Sequence, residues 1–66
     1  MYGERLRELR RGEGLTQKQL AEKLNISQKS LSKYECESLD LNTELIIKIC
    51  RFFQVSADYL LGLDDY

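Results

Sequence analysis

The chain has no proline, histidine or tryptophan, and only two cysteines among its 66 residues. A zinc site needs about four soft ligands, and Cys36 and Cys50 have thirteen residues between them rather than the spacing of a CxxC pair. Two cysteines in such a short chain are more typical of free thiols than of a disulfide. We therefore expect neither a metal nor a cofactor.

Long apolar runs are also missing, so no segment reaches the roughly 20 residues that a membrane-spanning helix needs. The N-terminal residues carry no signal-peptide pattern, and we expect a cytoplasmic protein without a membrane partner. The sequence offers no histidine, no nucleophile–base arrangement and no phosphate-binding loop. A bundle of this size has no sizeable pocket, so an enzyme is not expected.

The length predicts a single domain over residues 1–66. A domain this small buries only about 60% of the surface that its unfolded chain exposes, which makes oligomerisation a reasonable reinforcement. The net charge is −1, but it is unevenly distributed. Residues 1–34 hold eight basic and four acidic side chains, whereas residues 35–66 hold two basic and seven acidic ones. This asymmetry indicates a side of the molecule that faces a polyanion.

Apolar residues recur at helical spacing between capping residues, which predicts five short helices. We expect these helices over Tyr2–Arg11, Gln17–Leu24, Gln28–Cys36, Thr43–Phe53 and Ala57–Leu61. Side chains suited to an N-cap precede four of them, namely Thr16, Ser27, Asn42 and Ser56. β-Branched residues are few and no alternating run is present, so the predicted fold class is all-α.

The segment TQKQLAEKLNISQKSLSKYE, residues 16–35, predicts two helices packed across a three-to-four-residue turn. Leu31 and Tyr34 point inward on the second of these helices, so its outer face carries Gln28, Lys29, Ser32 and Lys33. Each of these side chains is polar or basic, and such a face suits the major groove of DNA. A solvated helix face is the alternative interpretation of the same pattern.

The longer segment GLTQKQLAEKLNISQKSLSKYE resembles the helix-turn-helix signature of the lambda-repressor-like, or XRE-type, DNA-binding proteins. The flanking segments GERLRELRRGEGLTQ and IIKICRFFQVSADYLLG resemble the first and the last two helices of that family. The resemblance covers residues 3–62 without gaps. It implies a compact five-helix bundle whose second and third helices form the helix-turn-helix, and whose function is sequence-specific double-stranded DNA binding by a transcriptional repressor.

The resemblance also implies roles for individual residues. Gln28 and Lys29 match the base-reading start of the recognition helix Gln28–Cys36, and Gln17 matches a glutamine that holds a phosphate. The predicted DNA-binding residues are Gln17, Lys18, Gln28, Lys29, Ser30, Ser32 and Lys33. Arg10 and Glu35 match a structural ion pair between the first and third helices, although Arg10 could instead contact a phosphate.

Proteins of this family usually bind a palindromic operator as homodimers. Ile47 and Phe52 exceed the apolar stripe that the core needs, so they are candidates for a dimer interface or ordinary exposed residues. No small-molecule effector is evident from the sequence. The family commonly has a basic loop after the third helix, whereas Cys36–Leu41 is acidic here and includes a cysteine that could have a redox role. This departure favours, as an alternative function, a protein-interaction module such as an antitoxin or anti-repressor.

Overall fold

The computed structural model describes residues 1–63, and within them the chain forms five helices and no strand. The helices are α1 (Tyr2–Gly12), α2 (Gln17–Leu24), α3 (Gln28–Glu35), α4 (Thr43–Phe53) and α5 (Ala57–Leu61). The predicted all-α, five-helix fold is confirmed. The predicted bounds are correct for α2, α4 and α5, but α1 runs one residue further than expected and α3 stops one residue earlier. Residues 64–66 of the predicted single domain lie outside the described residues.

Side-chain caps determine where four of the helices begin. Thr16, one of the predicted N-caps, forms a capping box with Gln19: the Thr16 hydroxyl accepts from the Gln19 amide at 3.1 Å, and the Gln19 side chain accepts from the Thr16 amide at 2.9 Å. The caps of α3, α4 and α5 are Ser27, Asn42 and Ser56. Asn25 ends α2 in the left-handed conformation, with φ of 58°, which makes the tight turn into α3 possible.

The core contains side chains from all five helices. Its fully or nearly fully buried apolar members are Leu6, Leu20, Ala21, Leu24, Leu31, Leu45, Ile49 and Leu60. Helix α3 packs on α1 and α2, while α4 packs on α2 and α5, and α5 returns to α1. Two helices therefore support α3 from one side and leave its opposite face open. No helix in residues 1–63 has the length and apolar character needed to cross a membrane.

The loop between α3 and α4 lies against the start of α1. Glu37 adopts the left-handed conformation, with φ of 61°, and its carboxylate accepts a hydrogen bond from the Gly3 amide at 3.1 Å. The Tyr2 hydroxyl donates to the Leu39 carbonyl at 2.9 Å and lies 3.3 Å from an Asp40 carboxylate oxygen. Acidic side chains are favoured at a helix N-terminus, so this acidic loop also complements the dipole of α1.

Gly3 is buried where α1 approaches the end of α3. A Cβ atom at this position would lie 2.8 Å from Cγ of Glu37 and closer still to the backbone carbonyl of Glu35. We therefore expect Gly3→Ala to lower the free energy of unfolding by about 1–3 kcal/mol through overpacking, as measured by urea denaturation.

Gly12→Ala in the same helix is the matched control. A Cβ at Gly12 would meet no atom within 4 Å, so this substitution should be neutral or should stabilise by up to about 1 kcal/mol. Equal stability of the two variants would contradict the close approach at Gly3.

Candidate nucleic-acid interface

The open face of α3 carries side chains that the sequence assigned to DNA binding. Gln28, Lys29 and Lys33 are exposed, and Ser32 is half-buried. These side chains point outward because Leu31 and Glu35, on the opposite side of the helix, are buried. The exposed part of α3 is consequently polar and basic, and its one acidic residue is withdrawn into the interior.

Ser30 lies beside this face but is partly engaged in the helix cap. The Ser27 hydroxyl accepts from the Ser30 amide at 3.0 Å and donates to the Ser30 hydroxyl at 2.9 Å. The Ser30 hydroxyl hydrogen is not used in either contact. Ser30 can therefore act as a donor at the N-terminus of α3 while it stabilises the cap.

The N-terminus of α2 offers a second group of donors. The first helical hydrogen bond of α2 joins the Leu20 amide to the Thr16 carbonyl at 3.0 Å. The amides of Gln17 and Lys18 precede that bond and point out of the helix end. The Lys18 side chain is exposed and Gln17 is half-buried. A helix end of this kind favours an anion such as a phosphate.

A buried carboxylate joins α1, α2 and α3. Glu35 has a side chain only 1% exposed and accepts two hydrogen bonds from the Arg10 guanidinium, from Nε at 2.7 Å and from Nη2 at 3.2 Å. Gln17 Nε2 donates to Glu35 Oε1 at 3.0 Å, and Arg7 Nε lies 3.7 Å from the same oxygen. Arg10 also donates to the Leu15 carbonyl at 3.0 Å. The two residues that the sequence paired, Arg10 and Glu35, are therefore within direct ion-pair distance.

The electrostatics of this group keep Glu35 ionised. Burial by itself would raise the pKa of the Glu35 carboxyl. Hydrogen bonds from Arg10 and Gln17, together with the positive charges of Arg10 and Arg7, outweigh that effect and lower the pKa below its ordinary value. The carboxylate is thus charged at neutral pH, and it contacts two side chains of α1, Arg7 and Arg10, and one of α2, Gln17.

The acidic loop of residues 36–41 does not present all its charges freely. The Glu37 carboxylate binds the amide of Gly3, and Asp40 contacts the Tyr2 hydroxyl. The sequence left open whether this loop faces DNA or a protein. The structure gives these two carboxylates an intramolecular partner that sequence reasoning did not foresee.

The candidate dimer-interface residues lie on α4, which packs on α2 and α5. Ile47 is 45% exposed and Phe52 is 37% exposed, and the Phe52 ring packs edge-to-face on Phe53 with centroids 4.9 Å apart. Five residues of helix correspond to a rotation of roughly 140°, so Ile47 and Phe52 do not form a single stripe. They border a broad part of the exposed side of α4.

The two cysteines are free thiols. Cys36 is exposed at the end of α3, where its thiol donates to the Ser32 carbonyl at 2.8 Å. Cys50 is half-buried in α4, and burial raises the pKa of its thiol. A raised pKa disfavours the reactive thiolate form, so Cys50 acts as a packing residue.

Comparison with known proteins places this arrangement in a family. A family model described as a helix-turn-helix domain matches residues 3–65. The chain belongs to this helix-turn-helix family. It is 48% identical over 63 residues to the HTH-type transcriptional regulator ImmR of Bacillus subtilis (strain 168). The matched region covers 96% of this chain and 50% of ImmR. It is 41% identical over 64 residues to the antitoxin PezA of Streptococcus pneumoniae serotype 4, covering 97% of this chain and 40% of PezA.

This chain thus spans about half the length of the curated relatives it matches. A solved structure covers the whole fold: the P22 c2 repressor protein in complex with synthetic operator 9T has a TM-score of 0.88 and 30% sequence identity, with 97% of both chains covered. The predicted resemblance to lambda-repressor-like proteins is confirmed. A helix-turn-helix domain of transcriptional regulators is a non-enzyme class, as the sequence predicted.

The lowered pKa of Glu35 predicts how stability depends on pH. The ionised Glu35 carboxylate contributes to the free energy of unfolding. This contribution is fully present above the ordinary pKa of 4.5 and is lost as the pH falls through the lower pKa of the folded state. We expect the free energy of unfolding to decrease below about pH 4.5 in the wild type, and Glu35→Gln to flatten that decrease. Urea denaturation across a pH series would measure it.

Glu8→Gln is the control for this series, because the Glu8 side chain is exposed in the middle of α1 and forms no ion pair or hydrogen bond with another side chain among residues 1–63. It should leave the acid dependence unchanged. An unaltered acid dependence in Glu35→Gln would contradict the interpretation.

Proposed function

We propose that this chain is a sequence-specific double-stranded DNA-binding transcriptional regulator that acts as a repressor, with α3 in the major groove. The observation that carries the proposal is the composition of the open face of α3. Its exposed side chains are polar or basic, and Glu35, the only acidic residue of the helix, is buried against Arg10. The P22 c2 repressor, which has the same fold, is bound to an operator in its solved complex.

The size and chemistry of α3 suit the major groove. A helix with its side chains is about 10–12 Å in diameter, which fits the roughly 12 Å width of that groove. Gln28 can form a two-bond pair with adenine, and Lys29 can reach the acceptors of guanine. Ser32 and Lys33 follow one turn later and extend the contact along the groove or to its edge.

Phosphate contacts come from the helix ends in this proposal. The amides of Gln17 and Lys18 and the Gln17 side chain stand at the start of α2, where the exposed Lys18 adds a positive charge. Ser30 offers a donor at the start of α3. Such contacts fix the orientation of the protein on the duplex but carry no sequence information. Base reading is thereby assigned to α3, and phosphate contacts to the start of α2 together with Ser30.

A protein-interaction module is the second candidate function. The antitoxin PezA among the relatives and the acidic loop after α3 both favour it. Two acidic side chains of that loop are already engaged by α1, which makes them weaker candidates for docking a basic partner. DNA binding is therefore the better-supported function of this surface.

Selection of bound sequences from a random pool of double-stranded DNA would test the proposal directly. We expect enrichment of a defined half-site. In that half-site, Gln28→Ala or Lys29→Ala should cost about 1–3 kcal/mol and relax the preference at one base position. Gln17→Ala should weaken binding to all sequences alike, since phosphate contacts do not read bases.

Failure to enrich any sequence would contradict sequence-specific binding. Equal losses on every sequence for Gln28→Ala and Lys29→Ala would show instead that these residues do not read bases.

A homodimer on a palindromic operator is the proposed assembly, with Ile47 and Phe52 near its interface. Phe52→Glu should then yield monomers by sedimentation and lose most of the operator affinity. Two recognition helices of a dimer should lie about 34–36 Å apart, which predicts half-sites separated by one turn of DNA. The control is Thr43→Glu, which introduces the same charge at an exposed position of the same helix. It should leave the oligomeric state and the operator affinity unchanged. A wild-type protein that remains monomeric on and off DNA would exclude this assembly.

A further inference from the structure

The side chain of Gln17 is anchored in the interior before any DNA is present. Its Nε2 atom donates to Glu35 Oε1 at 3.0 Å, although the residue itself stands at the open end of α2. The contact joins the first residue of α2 to the last residue of α3, eighteen positions away. It therefore connects the proposed phosphate-binding position to the buried ion pair.

A carboxylate can only accept hydrogen bonds, and this determines how the amide of Gln17 is oriented. The nitrogen must face Glu35 and the amide oxygen must face elsewhere. The nitrogen carries a second hydrogen, roughly 120° from the first, which points away from the buried carboxylate. A free glutamine at a surface would have to give up its rotational freedom when it bound a phosphate, whereas here that freedom is already lost on folding.

The carboxylate does not make this position unfavourable for an anion. Glu35 faces the guanidinium groups of Arg7 and Arg10 on α1 and the neutral Gln17 on α2. One negative and two positive charges leave the group with a net charge of +1. Because Arg10 holds both oxygens of Glu35, the acceptor that Gln17 uses is itself fixed in place.

We infer that Glu35 is a positioning residue for DNA binding, which orients the Gln17 amide so that its free N–H meets a phosphate beside the amides of α2. The inference rests on the proposed function, because it assumes that Gln17 contacts DNA. It assigns Glu35 a second task besides the ion pair with Arg10. Removing Glu35 should therefore abolish the benefit of Gln17 for DNA binding, and merely weakening the ion pair should not.

The first measurement uses the free protein and needs no DNA. In NMR spectra of the wild type, the side-chain amide protons of Gln17 should shift as Glu35 is protonated in acid, because Gln17 donates to that carboxylate. Arg10→Lys keeps the carboxylate and should retain this titration. The double variant Arg10→Met/Glu35→Met removes both members of the buried ion pair, and the remaining partner of Glu35, Arg7, has a side chain that is 40% exposed and can be solvated, so the variant should remain folded and lose the titration.

The second measurement is DNA affinity, on the duplex recovered by selection and on an unrelated duplex. Gln17→Ala should weaken the wild type about tenfold on both, as expected for a hydrogen bond to a charged group. The same substitution should cost about tenfold in Arg10→Lys and less than about twofold in Arg10→Met/Glu35→Met, where the amide is no longer oriented.

The outcomes separate the inference from the proposed function. A Gln17 amide that does not titrate with Glu35 overturns the inference, whatever the DNA result. An unchanged tenfold cost of Gln17→Ala in the double methionine variant also overturns it, while DNA binding stands. Wild-type affinity that is insensitive to Gln17→Ala overturns the inference but leaves base reading by α3 intact. Absence of any DNA binding by the wild type overturns both.

Discussion

The ion pair between Arg10 and Glu35 is the contact on which the arrangement of the helices depends. Within residues 1–63, Glu35 is the one charged residue that is buried, and it lies beside a core of apolar side chains. An unpaired charge there would be costly, so the pair is satisfied only when α1 and α3 adopt one relative position. Apolar contacts between leucines can tolerate small shifts of a helix, but the bidentate hydrogen bonding of the Arg10 guanidinium to the Glu35 carboxylate cannot. The direction in which α3 presents its open face follows from this restriction.

The helices could be predicted from the sequence because their determinants are local, whereas their arrangement in a bundle was implied by the resemblance to lambda-repressor-like proteins. Thr16 and Gln19 are three residues apart, and the inward-facing leucines recur within single helices, so each helix can be recognised without knowledge of the others. The errors were at helix ends. Whether Cys36 continues α3 depends on its backbone torsion angles, φ −92° and ψ 3°, which its residue type does not determine. The open face of α3 was also predictable, since it is the complement of the inward stripe.

The remaining contacts of the site could not be predicted, because they join residues that are distant in the sequence. Gln17 meets Glu35, and Gly3 meets Glu37, only after α1, α2 and α3 have packed. Nothing in the composition of the acidic loop distinguishes a carboxylate that faces a phosphate or a protein partner from one that binds a helix N-terminus. A count of charges treats these carboxylates alike, whereas the structure distinguishes them by their hydrogen-bond donors, the Gly3 amide for Glu37 and the Tyr2 hydroxyl for Asp40.

The docking of the acidic loop on α1 restricts how this protein can evolve. A basic residue in place of Glu37 would add positive charge that favours the proposed DNA binding, but it would leave the amide of Gly3 without its acceptor and place a positive charge at the positive end of a helix. Stability and affinity thus compete at a single position. A lineage under selection for tighter DNA binding is expected to acquire basic residues elsewhere, for example along α2, before it changes this loop.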